Sequence, residues 1–468
     1  MSTPSSSPQI AVVGAGAAGI AAASALARAG YAVRLLERRP YVGGRASSYP
    51  HPALGEVVDC QHVLVGCCTN LIDLFTRSGA AGSIRWYREL TFLEPGGRAS
   101  IFRPGWLPAP LHYAGSFLQA PMLSLTDKRA IARAMTGLLG GIPSNDDEGL
   151  EQWLRRTGQT ERARRHFWEP IVVCTLNDSF QNCSTRHATH VFRELFLKSP
   201  ASGRLGIPTV PLSDLYAAPA RSIESHGGVL QFRASVERME PAPGDRWRLL
   251  GPSLDYLADA VVLAIPFEQM QRLLPNLPAS PEAAAWATRL TRFVHASYTT
   301  VHLWFDREIT PLHHAALLDS DLQWIFNKSR IRDLPPAQGS YVELVIAASP
   351  RYLAMPRAEI LARSLENLSL YFPDVRQATL IKSGVLKEAR ATFSVLPGLD
   401  SSRPSPKSPW PGIFLAGDWA ATGWPSTMES AVRSGYRAAE TVASSFGNPQ
   451  TFLALELPAS GLMRLAPQ

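Results

Sequence analysis

A chain of 468 residues is long enough for two domains with substantial cores, and its 46% hydrophobic and 18% charged content excludes a disordered protein. The formal net charge of +7 suits an anionic partner, but no nucleic-acid module and no long basic run accompanies it, which leaves anionic lipid as the more useful reading. The 5 cysteines (Cys60, Cys67, Cys68, Cys174 and Cys183) are odd in number and lack paired C-x-x-C spacing. A disulfide framework and a metal site are therefore not expected, and reduced thiols in a cytoplasmic compartment are.

Residues 1 to 8 are rich in serine and proline and read as a mobile leader. Ile10 to Val13 then forms a short apolar run of strand type, followed by Gly14, Gly16 and Gly19 at G-x-G-x-x-G spacing, with Ala18 just before the last glycine. The spacing has a physical reason. The first glycine permits a tight turn, the second lets a pyrophosphate approach the backbone, and the third lets the following helix pack on the strand. That helix is expected over Ile20 to Ala29 and stops at Gly30; Tyr31 to Leu36 alternates as a second strand, closed by Glu37. An acidic residue there meets ribose hydroxyls, and phosphate meets the free N–H groups of the helix start. No charge lies between Met1 and Arg28, which raises a signal peptide or a membrane span as an alternative. It fails because there is no basic leading region and glycines interrupt the run.

The continuation RRPYVGGR, with Gly43, Gly44 and Arg45 just beyond the second strand, resembles the flavin-containing amine oxidase and phytoene desaturase superfamily. The resemblance implies an α/β fold: a Rossmann-type FAD-binding domain with an interleaved α+β substrate domain. It implies FAD, its pyrophosphate wrapped by the Gly43–Arg45 loop. Arg38 and Arg39 raise the 2′-phosphate of NADP as an alternative, which Glu37 would repel.

Further along, Gly55 to Asp59 reads as a strand end and Asn70 to Ser78 as a helix stopped by Gly79. The stretch DCQHVLVGCCTNLIDLF is similar to the corresponding segment of the hydroxysqualene dehydroxylase family, though Asp59 is followed directly by Cys60 where members often carry a longer loop. In the superfamily this segment passes the flavin ring, which implies positions near the chemistry for Asp59, Gln61 and His62. The alternative for His62 is a satisfied core histidine.

From Ile101 the composition turns to proline and glycine among large apolar residues, including Trp106, Leu107, Phe117, Leu118, Met122 and Leu123. Such a stretch either enters a bilayer interface, lines a lipid tunnel or fills an ordinary core. Helices are expected over Thr126 to Leu139, Gly149 to Thr157 and Pro211 to Ser225. Trp168, Pro170, Leu176 and Asn177, followed by Asp178, again resemble the dehydroxylases. Val229 to Phe232 and Ala234 to Met239 read as the second contribution to the FAD domain, and the resemblance implies backbone contact between Val236 and adenine. Ala258 to Pro266 reads as a buried strand. Strands are expected at Tyr298 to Phe305 and Tyr341 to Ala347, and an amphipathic helix at Arg357 to Tyr371. Many amine oxidases of the superfamily place a lysine near the flavin from this region, and Thr291 to Val301 contains none.

The closing segment reads as a strand at Ile413 to Ala416, a Gly417–Asp418 turn and a helix over Thr427 to Val442. The resemblance implies that Asp418 binds the ribityl or pyrophosphate portion, and that the N–H groups near Thr427 and Met428 face the flavin. Amine oxidases usually carry an aromatic residue where Thr427 stands, which disfavours amine oxidation. The expected domains are residues 8–95, 212–275 and 383–445 for FAD and 96–211 with 276–382 for substrate, followed by a tail at 446–468.

The implied reaction is FAD-dependent reductive removal of hydroxyl from hydroxysqualene to give squalene, with His62 as first candidate for the acid, Asp59 as its orienting partner and Asp178 as a second candidate. A carotenoid-type desaturase and a non-catalytic prenyl-lipid carrier are the alternatives. A polyisoprenoid lipid, the inner face of the cytoplasmic membrane and the synthases of the pathway are the implied partners, with no nucleic acid.

Overall fold

The computed structural model describes residues 7–335 and 339–467, so most of the expected leader lies outside the described residues. In chain order the strands of its main sheets are β1 (Gln9–Val13), β2 (Ala32–Glu37), β3 (Leu90–Leu93), β4 (Ala99–Phe102), β5 (Val229–Phe232), β6 (Ala260–Leu263), β7 (His295–Phe305), β8 (His314–Leu317), β9 (Trp324–Asn327), β10 (Ser340–Ala347), β11 (Leu380–Phe393) and β12 (Ile413–Leu415). The helices that matter to the site are α1 (Ala17–Arg28), α2 (Thr69–Arg77), α3 (Leu212–Ser225) and α4 (Met428–Ser445).

A five-stranded sheet runs β5-β2-β1-β6-β12, parallel throughout. Its central strands are buried on both faces, so β1 and β6 are continuous apolar runs rather than alternating ones. Helices α1, α3 and α4 cover one face, and a three-stranded antiparallel sheet of Arg238–Ala242, Arg246–Gly251 and Leu254–Ala258 packs on the other. α1 packs beneath α4 because small residues let the backbones meet: a Cβ on Gly435 would stand 2.2 Å from Ala18 O. This is the Rossmann-type dinucleotide-binding architecture expected from the opening residues.

The second sheet has seven strands in the order β11-β7-β10-β9-β8-β3-β4, mostly antiparallel. β3 joins β8 in parallel, so a hairpin from early in the chain completes a sheet built late in it. That hairpin spans the boundary read at residues 95 and 96, and β11 begins before the one read at 383. An apolar cluster including Trp168, Phe167, Phe192 and Phe196 packs the helical segment against the sheets. Trp168 is fully buried and donates from Nε1 to Gln159 Oε1 at 2.8 Å, which satisfies its only polar group.

Several expected elements shift by a few residues. α1 starts at Ala17 rather than Ile20, since nothing in Gly16 to Gly19 breaks a helix that the close packing holds in place. The strand expected over Ala234 to Met239 occupies only Arg238–Ala242, because residues 233 and 234 bond at the end of β2 instead: Arg233 N donates to Arg39 O and Ala234 N to Glu37 O. The strands Ile84–Tyr87 and Leu205–Pro208 and the helix Thr185–Phe192 were not read from sequence. Their hydrophobic residues face partners from other parts of the chain, so local periodicity carries little of the signal.

Candidate active site: a flavin cradle and a buried charge cluster

The cradle is built at the carboxyl ends of β1 and β2. Gly14 turns with φ +100°, and a Cβ on Gly19 would stand 1.8 Å from Gly14 O, so α1 reaches β1 only with glycine at that position. Gly16 caps α1 with extended backbone and no side-chain cap, leaving the first N–H groups of the helix for an anion. A Cβ on Gly16 would meet only Gly44 Cα at 3.9 Å, so the approach to that backbone is open. Gly43 N donates to Ala15 O at 2.8 Å and fastens the Gly43–Arg45 loop alongside.

Glu37 is buried at the end of β2. Its Oε2 accepts from Ala15 N and its Oε1 from Arg39 N, each at 2.8 Å, so the carboxylate is fixed with remaining lone pairs free for ribose hydroxyls. Arg38 points to solvent, and Arg39 is turned back on Gly44 O at 3.0 Å. Val236 sits in the segment beside Glu37.

At the other end, Gly417 and Asp418 follow β12. Arg45 donates to Asp418 Oδ1 at 2.5 Å and to Ala391 O at 3.0 Å, and Ser426 donates to Asp418 Oδ2 at 2.5 Å. Burial by itself would raise the Asp418 pKa, but Arg45 and Ser426 hold the carboxylate below its usual range. Thr427 caps α4 through the Ser430 N–H at 3.1 Å, and the N–H groups of Met428 and Glu429 head the helix. The Glu429 carboxylate faces away from that end: it takes the Leu71 N–H at 2.8 Å, the Asn70 amide at 2.9 Å and Arg433 Nε at 2.7 Å, so it caps α2 and ties it to α4.

The uncapped helix start, the open Gly16 backbone, the fixed Glu37 and the Arg45–Asp418 pair are donors and acceptors of the kind a flavin dinucleotide needs. Comparison with known proteins agrees. The family model described as "Flavin containing amine oxidoreductase" matches residues 17–443. The chain belongs to this family. Its cofactor is FAD, and it is a flavin-dependent oxidoreductase. It is 26% identical over 473 residues to 15-cis-phytoene desaturase of Narcissus pseudonarcissus, covering 94% of this chain and 80% of that protein. To zeta-carotene desaturase of Synechocystis sp. (strain ATCC 27184 / PCC 6803 / Kazusa) it is 25% identical, covering 95% of this chain and 99% of the relative. Among solved structures, an oxidoreductase from Methanosarcina mazei superposes with a TM-score of 0.72 at 16% identity, covering 91% of this chain and 98% of that one. Cyclohexylamine oxidase of Brevibacterium oxydans IH-35A superposes with 0.67 at 18%, covering 94% and 100%. At those identities the structures establish the fold alone.

Next to the cradle lies the loop that leaves the short strand Glu56–Val58. Asp59 is buried and accepts from Lys328 Nζ at 2.9 Å, Ser48 Oγ at 3.0 Å and Arg332 at 3.3 Å. Burial pushes its pKa up, and the two cations overcome this and hold it well below the carboxylate range. Lys328 also reaches Gln61 Oε1 at 2.5 Å and Glu343 Oε2 at 2.9 Å. Glu343 is fully buried, and burial raises its pKa to about 7 in spite of Lys328.

His62 does not pair with Asp59. Its Nδ1–H donates to the carbonyl of Cys60 at 2.6 Å, which corrects the expected orienting partner and leaves Nε2 as the ring nitrogen outside that bond. Burial lowers the His62 pKa, with the charges of Arg45 and Lys328 also acting against a second proton. Asp178 is engaged elsewhere: Oδ1 accepts from Ser179 N and Asn182 Nδ2, each at 2.8 Å, and Oδ2 from the Ser394 hydroxyl, so it holds a turn against the end of β11. Asn177 before it is left-handed at φ +54°, a conformation asparagine tolerates.

Sequence reasoning missed Lys328, Glu343 and Arg332. A glutamate inside the otherwise apolar run of β10 was the available signal, since such a charge survives burial only when paired. Away from this site, Asp146, His187 and Asp400 come together in a metal-like spacing. Arg186 at 3.0 Å and Arg403 at 2.9 Å already occupy Asp400, so the group is an ion-pair network. All 5 cysteines are free.

Proposed function

We propose that this chain acts on an acyclic polyisoprenoid lipid, and that its reaction is the reductive dehydroxylation of hydroxysqualene to squalene. The observation that carries the reading is the Asp59–His62 loop, held beside the cradle with one histidine nitrogen free. The names of the desaturase relatives, which refer to long polyene hydrocarbons, support the substrate class. Thr427 in place of an aromatic residue and the absence of lysine from β7 speak against amines.

Bound FAD, when reduced, supplies a hydride. The rest of the balance falls to the protein: the C–O bond breaks, the hydroxyl leaves as water with one added proton, and the allylic cation is closed by hydride. In this reading His62 Nε2 delivers that proton, a contribution typically worth about 10²- to 10⁴-fold. The reaction also requires that water be kept from the cation, which it would otherwise capture. Because burial lowers the His62 pKa, the protonated ring becomes more abundant as pH falls, and turnover is expected to rise toward acid pH.

Desaturation is the second reading, favoured by the relatives. It needs a base rather than an acid, and a neutral His62 with its Nε2 lone pair free serves that role, so turnover would rise with pH. Anaerobic reduction of the flavoprotein followed by hydroxysqualene separates the two: return of the oxidised flavin spectrum with an equal amount of squalene supports dehydroxylation. Surviving alcohol with reduced flavin overturns it, and oxidised protein with polyene precursors then tests desaturation.

Delivery from the inner face of the cytoplasmic membrane belongs to the same proposal. Trp106 is 92% exposed, Leu118 63% and Leu465 85%. Leu462 N bonds Ala109 O, which brings the tail against the segment that carries Trp106 and Leu118. Between residues 104 and 145 the only acid is Asp127, which is buried, against Lys128, Arg129 and Arg133. An apolar surface with cations around it suits anionic headgroups. No helix among the described residues is long and apolar enough to cross a membrane.

A further inference from the structure

We propose that Lys328 and Glu343 are positioning residues that set the Asp59–His62 loop, and with it His62, against the flavin side of the site. The inference rests on the reading of His62 given above, and it adds one group from the seven-stranded sheet, Glu343, and one from the short helix Lys328–Ile331 that follows β9, neither of which any motif assigns.

The loop is held along its length by chain that is distant in sequence. Lys328 Nζ joins Asp59 Oδ1 at 2.9 Å and Gln61 Oε1 at 2.5 Å; Glu343 Oε1 accepts the Gln61 backbone N–H at 2.6 Å. Tyr298 OH lies 3.5 Å from Gln61 O, and Cys60 Sγ 3.8 Å from Thr300 Oγ1. Gln61 then donates from Nε2 to His62 O at 2.7 Å, and His62 to Cys60 O at 2.6 Å, so the geometry imposed on Asp59 and Gln61 passes to the imidazole. Asp59 also takes Ser48 Oγ, which itself accepts from Leu212 N at 2.7 Å, tying the cluster to the start of α3 in the FAD domain.

The composition of the cluster argues for placement over stability. Lys328 is 2% exposed, Asp59 3% and Glu343 0%. Desolvating ions at such depth costs more than apolar residues of similar volume would, whereas paired ions fix one geometry and reject others. The cluster also brings its charge to the reacting end of the loop: Lys328 and Asp59 both act on the titration of His62, as does Arg45 from the cradle.

The test uses the full-length FAD-loaded protein with Lys328→Met, and Asp59→Asn/Lys328→Met as a charge-balanced variant should the single change fail to fold. The first readout needs no substrate: the titration of the His62 ring, followed by NMR on histidine-labelled protein with His62→Gln to assign the signal. In Lys328→Met the His62 midpoint is expected to move upward, because Lys328 acts against the second proton. In the double variant the loss of Asp59, which acts more strongly in the opposite direction, is expected to turn the shift downward, and in both flavin stoichiometry stays at the wild-type value. The second readout is kinetic. A displaced His62 lowers kcat by about 10- to 100-fold with KM little changed. Glu343→Gln keeps an acceptor for the Gln61 N–H and is expected to retain most of that kcat, whereas Glu343→Leu falls with Lys328→Met. A folded, flavin-loaded variant in which the His62 titration and kcat both stay at wild-type values overturns the proposal. If the wild type turns over no polyisoprenoid at all, the functional reading fails, and the His62 titration still decides whether the cluster positions the loop.

Discussion

The cradle and the loop beside it are built in opposite ways. The cradle is backbone work: glycines, free N–H groups and one carboxylate supplied within the first 45 residues, closed by the Arg45–Asp418 pair. The loop is side-chain work, with Asp59 meeting Lys328 across 269 residues and Gln61 N meeting Glu343 across 282. A dinucleotide presents the same phosphates and ribose to any protein, so local geometry suffices to bind it. On the proposed function this loop is the reacting end, which must suit one substrate, and its groups are drawn from whatever the tertiary fold brings near.

The contrast is broken most severely at Gly19. Any side chain there meets Gly14 O, so Gly19→Ala is expected to purify without flavin or fail to fold, as read by the flavin-to-protein absorbance ratio. A fully loaded variant would refute the packing argument. His62→Gln tests the other half: turnover is expected to fall by about 10²- to 10⁴-fold with flavin retained, and full turnover would show that the loop supplies no proton. Asp418→Asn keeps the shape of the Arg45 contact and removes its charge. FAD affinity is expected to weaken by roughly 10- to 100-fold, measured by fluorescence on dilution, because charge-assisted bonds to buried groups are among the stronger ones.

A smaller effect is expected at the surface. Trp106→Ser with Leu118→Ser lowers co-sedimentation with phosphatidylserine vesicles by about tenfold through lost apolar burial, without changing flavin content. Equal binding of the variant would remove that surface from the proposal.

The gentlest test is of Glu343 through stability. Its folded pKa, about 7, lies above the ordinary 4.5, so the folded protein holds a proton there that the unfolded chain has already released. That contribution is complete below about 4.5 and is lost as pH rises through about 7. Wild type should therefore lose thermal stability relative to Glu343→Gln as pH rises across this window. Parallel melting curves for the two proteins at each pH would show that Glu343 does not carry the shift.

Much of the fold was legible because its signals are local. The β1–glycine–α1–β2–Glu37 order, the exact span of β5, the amphipathic helix over Arg357–Tyr371 and the closing β12–Gly417–Asp418–α4 unit each announce themselves within a short window. The hairpin of β3 and β4 did not, since its short strands gain stability only by joining β8 in a sheet completed more than 200 residues later. In the site, Gln61 and His62 were singled out by resemblance, while Lys328 and Arg332, which hold the neighbouring Asp59, sit in a stretch with no motif.

By itself the sequence determined a dinucleotide-binding fold, because glycine spacing, strand hydrophobicity and a terminal glutamate dictate backbone geometry without outside help, and the resemblance of its opening and closing motifs implied that the dinucleotide is a flavin. Only the tertiary structure decided that His62 leans on the Cys60 carbonyl instead of Asp59, that Asp59 belongs to Lys328 and Arg332, and that Asp178 braces a turn. Buried charges must be paired, and which partner satisfies each is fixed by where the sheets bring the chain together.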